Sequence, residues 1–102
     1  MNGTLILPGL TRCGVGVVEG DLGRRLRMVD VTVVRTAASA PTPQRLAEIQ
    51  DAIEDLVATH RPDTMAIERV FADVNVMSVM GTAQASAAAM LVAARRGIPV
   101  HL

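Results

Sequence analysis

Two stretches, read together, constrain this chain most: Leu5-Ile6-Leu7-Pro8-Gly9-Leu10-Thr11-Arg12-Cys13-Gly14-Val15-Gly16-Val17-Val18 and Ala66-Ile67-Glu68-Arg69-Val70-Phe71. In the first, an apolar run over residues 4–7 is stopped by Pro8-Gly9 and followed by a valine-rich run, residues 14–19, that ends in the turn cluster Gly20-Asp21-Leu22-Gly23. Pro and Gly both break a ladder, so each run reads as a short strand with a tight connection between them. In the second, a carboxylate stands directly after the apolar run Met65-Ala66-Ile67. A charge at the end of a buried strand is costly unless something binds it, which makes Glu68 the acid to watch.

The segments between and after these stretches complete the pattern. Residues 27–35 alternate, with Val29, Val31 and Val33 facing one way and Met28, Asp30 and Thr32 the other. That is a half-buried strand pairing back on its predecessor. A loop over residues 37–43 hands over to a helix, with Thr42 as the expected N-cap and Pro43 at the first helical position. Leu46, Ile49, Ile53, Leu56 and Val57 recur at helical spacing, while Arg45, Glu48, Asp51, Glu54 and Asp55 are expected on the wet face. Arg61-Pro62 ends this helix, and residues 64–68 form another strand. A second helix is expected over residues 76–96, capped by Asn75 and closed by Gly97, with a final strand over residues 98–102. Three strands followed by helix, strand, helix, strand give an α/β sheet of mixed direction.

Composition narrows the class. The 102 residues allow one domain at most, spanning 1–102, and half of them are apolar, as in a folded globular chain. Ten acidic and ten basic residues cancel, so no strong overall field points to a nucleic-acid partner. Every basic residue is arginine, which suits bidentate phosphate contacts but also follows from genome composition. Cys13 is the only cysteine, so there is no intrachain disulfide, and two histidines are too few to build a zinc site with it. With no signal-peptide pattern at the N-terminus, a cytoplasmic location is expected. Residues 76–94 carry no charge over about a membrane-spanning length, but Gly81, Thr82, Gln84, Ser86 and many alanines make them a buried helix and not a membrane span.

These residues resemble the RuvC family of Holliday-junction resolvases. Pro8-Gly9-Leu10-Thr11-Arg12-Cys13-Gly14, Val34-Arg35-Thr36, Glu68-Arg69-Val70-Phe71 and Met80-Gly81-Thr82-Ala83-Gln84-Ala85 occur in family order over nearly the whole chain, most like the actinobacterial members. The resemblance implies a ribonuclease-H-like fold with flanking helices, lacking the family's C-terminal helices. It implies a Mg²⁺-dependent endonuclease that resolves four-way junction DNA in recombination and repair. Its partners would be a second copy of the chain, dimerising through the helix around Gly81, and the branch-migration proteins RuvA and RuvB.

By the same resemblance Glu68 matches a metal-binding catalytic acid, and Phe71 an aromatic that stacks on a junction base. Arg12 and Arg69 are the arginines placed to meet DNA. Read without the family, Glu68 is first a solvated strand-end acid or a partner of Arg69, and Phe71, the only aromatic, first a core residue. The chain departs from the family where it matters. Leu7 stands where the first strand should end in aspartate, Leu5 where glycine is usual, and the chain reaches Leu102 before any residue that could match the C-terminal acids. Two-metal hydrolysis needs several carboxylates converging on ions about 4 Å apart, and Glu68 alone cannot supply that. The expectation is therefore a catalytically inactive resolvase fragment. The alternatives are a non-enzymatic junction-binding and dimerisation module, and another ribonuclease-H-like protein such as a YqgF-type nuclease or an actin-like phosphate binder.

Overall fold

A computed structural model describes residues 1–20, 25–69 and 76–102, without the side chains of residues 76–78. The elements run β1 (Asn2–Leu7), β2 (Arg12–Glu19), β3 (Arg27–Arg35), α1 (Thr42–His60), β4 (Thr64–Ile67), α2 (Val76–Arg95) and β5 (Val100–His101). This is the order the sequence predicts. The Asn75 cap and the Asp21-Leu22-Gly23 turn lie outside the described residues.

The strands form one sheet in the order β3-β2-β1-β4-β5. The β1/β2 and β2/β3 pairs are antiparallel, as short connections require, whereas β1/β4 and β4/β5 are parallel and are joined through the helices. Gly9 permits the tight β1–β2 connection, because a Cβ there would run into the Arg12 carbonyl oxygen. The β2/β3 ladder slips between Val17 and Val18, so that Val17 opposes Asp30 while Val18 opposes Met28. The slip corrects the simple alternation: Met28 comes over Gly16, its sulfur 3.3 Å from where a Gly16 Cβ would stand, and not onto the Asp30 and Thr32 face.

Alternation divides the sheet into two unlike faces. Ile6, Cys13, Val15, Met65 and Ile67 point to one side, where Ile49, Ile53 and Val57 of α1 and Ala85, Ala88, Ala89, Val92 and Ala93 of α2 complete the core. The small side chains of α2 let it lie close to α1 and the sheet. At Gly81 an added Cβ would stand 3.1 Å from the Leu10 Cβ, so α2 rests on the β1–β2 turn. The other face stays open: Leu7, Val31 and Val33 are 47%, 66% and 46% exposed.

The helix ends show what the chain chemistry dictates. Thr42 is already helical and Pro41 is the N-cap, with no side-chain cap bond, so helix α1 begins one residue earlier than the Thr42 cap implies. Pro43 still sits in the first turn, where its missing N–H costs nothing. Arg61 closes α1 in the left-handed conformation (φ 47°) and donates its N–H to the Val57 carbonyl, with Pro62 barring continuation. Gly97 (φ 68°) ends α2 in the same way. Among the described residues no helix is long and apolar enough to cross a membrane.

Candidate functional site

Parallel pairing of β1 and β4 brings the two chemically suspect positions side by side. Ile6 is in register with Ile67, and the Glu68 N–H donates to the Ile6 carbonyl at 3.0 Å. One residue further, Leu7 ends β1 at the level where Glu68 leaves β4. Both side chains are exposed. Leu7 also packs over Gly14 of β2, its Cβ 3.2 Å from where a Gly14 Cβ would stand, so its alkyl chain caps the strand tips. Glu68 and Arg69 line a shallow hollow with Ala83, Ser86 and Met90 of α2 and with Leu102.

Among the described residues no three His, Cys, Asp or Glu side chains converge as a metal site would require. Glu68 offers a single carboxylate, and its neighbour across the ladder is a hydrocarbon. The donors present do not fit a pair of Mg²⁺ ions, each of which seeks six oxygens in a near-ideal octahedron.

A second constellation lies on the turn that follows Leu7. Arg45, expected on the wet face of α1, is instead only 8% exposed. Its Nε donates to Thr36 Oγ1 at 2.8 Å and its Nη2 to Thr11 Oγ1 at 3.0 Å, while Thr36 Oγ1 donates to the Leu10 carbonyl at 2.6 Å. The Thr36 N–H adds a bond to the Thr11 carbonyl at 3.1 Å. The physical reason for the difference is reach: a long guanidinium stem on the first turn of α1 crosses to the start of β2 and the end of β3 and is satisfied there by hydroxyls. The sequence singles out Thr36 within a motif but carries no signal linking it to Arg45 across the intervening loop.

Arg12 opens β2 directly opposite Arg35, the last residue of β3, and both are exposed. Like charges in facing positions repel, so this corner of the sheet favours an anion. Arg27 pairs with Glu19 and Arg96 with Glu54 away from this corner, and His60 Nε2 lies 3.2 Å from Asp30 Oδ2. Arg12, Thr11, Thr42, Arg45, Thr82 and Gln84 line an open cleft of about 700 Å³ between the turn, α1 and α2.

Of the residues singled out by sequence, Leu7, Glu68 and Arg69 thus share one edge, with Arg12 at the start of β2, just after the adjoining turn. Phe71 lies outside the described residues. Cys13 is in the core, and burial pushes its thiol pKa up, against a smaller lowering from a backbone hydrogen bond with Gly9. A buried protonated thiol is inert packing and not a nucleophile.

Comparison with known proteins bears on the whole chain. Residues 5–102 match the family model described as crossover junction endodeoxyribonuclease RuvC. Crossover junction endodeoxyribonucleases RuvC from Nocardioides sp. and Streptomyces avermitilis are 59% and 62% identical over 95 residues, which is 93% of this chain and 54% of each of theirs. The Mycobacterium avium protein of the same name is 57% identical over 94 residues, 92% of this chain and 50% of its own. The chain spans about half the length of the curated relatives it matches. The solved structure of Thermus thermophilus RuvC in complex with Holliday junction substrate superposes with a TM-score of 0.91 at 27% identity, covering 98% of this chain and 61% of that one. A second structure of Thermus thermophilus RuvC gives 0.87 at 28% identity, with the same coverage. The ribonuclease-H-like mixed sheet and its two helices are the fold of those structures, and with this match the chain belongs to the RuvC family of crossover junction endodeoxyribonucleases.

Proposed function

We propose that this chain serves Holliday-junction resolution, in line with relatives named crossover junction endodeoxyribonucleases, by engaging four-way junction DNA along the edge formed by the β1 and β4 tips. As a polypeptide carrying Leu7 it binds the junction without hydrolysing it. One observation carries the second half of this reading: the ladder neighbour of Glu68 is Leu7, an alkyl chain at the place where hydrolysis by paired metals calls for a second carboxylate. Mg²⁺ is the ion the family expects, yet the acids in reach do not fit it, and no hydrolytic step is assigned.

Junction contact falls to Arg12 and Arg69, with Phe71 stacking on a base. Phosphate contacts release counterions, so binding is weak and falls steeply with salt. Partners in the same reading are a second copy of the chain, through α2, and the branch-migration proteins RuvA and RuvB.

The test is incubation of pure protein with a four-way junction and with matched duplex, in Mg²⁺ and in Mn²⁺. The expected result is salt-sensitive preference for the junction and no nicking. Metal-dependent symmetric nicking that disappears in Glu68→Gln would overturn the inactive reading. Equal affinity for junction and duplex would overturn the recognition half.

A further inference from the structure

Among the described residues Arg45 is a cation without a counter-ion. A guanidinium stays protonated in proteins, and burying a charge is costly unless it is paired. Here more than nine-tenths of the residue is buried, and its partners among the described residues are two neutral hydroxyls. Those hydroxyls occupy one edge of the guanidinium, the Nε and one Nη2 hydrogen. The opposite end, Nη1 with the second Nη2 hydrogen, is the fork that meets carboxylates and phosphates in bidentate fashion. Arg45 lines the cleft of about 700 Å³ with Thr11, Arg12, Thr42, Thr82 and Gln84, and no acidic residue is among the described groups lining it. The facing Arg12 and Arg35 add positive charge at the same corner.

We propose that this cleft is a phosphate-binding site in which Arg45, locked by Thr36 and Thr11, is the fixed cation and Arg12 the adaptable one, and that its ligand is a phosphodiester of the junction strand. The identity of the ligand rests on the junction-binding reading above; the oxyanion chemistry of the site does not. Gly9 and Leu10, two and three residues after Leu7, line the same cleft, so it adjoins the tip of β1. Arg45 is then a preorganised contact. Its side chain is held before the ligand arrives, so little rotamer freedom is lost on binding.

A carboxylate placed on the rim should replace the missing counter-ion. Thr42 lies one helical turn before Arg45 on α1, and Gln84 faces the cleft from α2, so Thr42→Glu and Gln84→Glu are the two probes. Thr59→Glu, the same charge change at the far end of α1, is the control. Junction affinity is measured by fluorescence anisotropy over a salt series. In parallel, inorganic phosphate is titrated while the Arg45 Nε–H resonance is followed by NMR. The expected result is a saturable shift of that resonance in wild type and in Thr59→Glu, absent from both rim variants. The rim variants should also lose about tenfold in junction affinity and about 1 from the salt slope, the signature of one lost phosphate contact. Junction binding that is unchanged in both rim variants overturns the inference while leaving junction recognition standing. No junction binding by wild type sinks the functional reading instead, and the phosphate titration then decides the site alone: a saturable Arg45 shift upholds it and a flat resonance removes it.

Discussion

The backbone N–H of Glu68 bonds to the carbonyl of Ile6 at 3.0 Å, and that single ladder step makes Leu7 the neighbour of Glu68, the one acid lining the hollow at this edge among the described residues. A strand tip of this kind is where a sheet presents chemistry to a ligand. The backbone that would position a carboxylate at position 7 is in place, and the side chain it carries is an alkyl chain.

Leu7→Asp is therefore predicted to create weak divalent-ion binding without creating a nuclease. Two adjacent carboxylates attract a cation that neither holds alone, but two carboxylates leave a pair of six-coordinate ions short of ligands. Mn²⁺-induced broadening of the backbone amide resonances at position 7 and at Glu68 should appear in Leu7→Asp and be absent in wild type. Junction nicking by the variant would contradict the prediction.

Thr36→Val tests the hydroxyl lock from the structural side. The substitution keeps the shape but strips an acceptor from Arg45 Nε and a donor from the Leu10 carbonyl. Hydrogen bonds to charged groups contribute roughly 1.5–3 kcal/mol, so urea unfolding should show a loss of about 2 kcal/mol with an unchanged slope. A loss under about 0.5 kcal/mol would mean that Arg45 is held by its stem and not by the hydroxyl.

The two faces of the sheet should respond to substitution in opposite ways. Ile53 is fully buried between α1 and the sheet, and Ile53→Ala should cost about 2–5 kcal/mol through lost contacts and the cavity left behind. Val31, on the open face of the same sheet, should tolerate Val31→Thr within about 0.5 kcal/mol. Thermal unfolding of the two variants beside wild type reads the contrast directly. A large loss at Val31 would show that something covers the open face in solution.

Cys13 should be silent toward thiol reagents in the native protein. Its pKa is raised by burial, so the reactive thiolate is scarce as well as inaccessible. Labelling with a chromogenic disulfide should be slow under native conditions and fast in denaturant. Rapid native labelling would mean that the β1–β2 corner opens readily.

Much of this fold is legible in the chain because its signals are local. Pro8-Gly9, Gly97 and Arg61-Pro62 punctuate the elements, and the period of Ile49, Ile53 and Val57 sets the buried stripe of α1. What is not legible depends on contacts between segments distant in sequence. Arg45 follows the polar positions of its helix in pattern, and only its reach to Thr36 and Thr11 buries it. The slip at Val17 and Val18 reverses the facing of Met28 without any Gly or Pro at the bulged strand position to announce it. The adjacency of Leu7 and Glu68 is implied by the resemblance, whereas the cleft beside Arg45 depends on α2 resting on Leu10, a contact that no local pattern reports.

The last prediction concerns α2. Its inward residues, Ala85, Ala89, Val92 and Ala93, are buried, but Met80, Ala83, Ala87, Leu91 and Ala94 form an exposed apolar stripe at helical spacing, with Met80 55% and Leu91 50% exposed. The groove beside it is lined by Pro43, Leu46 and Ala47 of α1, so the uncovered surface spans both helices. Contiguous apolar surface of this kind is a common mark of an interface. Sedimentation velocity across micromolar concentrations should show reversible self-association. Leu91→Arg, which sets a charge in the middle of the stripe without touching the core, should shift the distribution to monomer with little change in unfolding temperature. A wild-type chain that remains monomeric throughout would remove α2 as the dimer surface. Association that survives Leu91→Arg would direct attention to the open valine face of β3 instead.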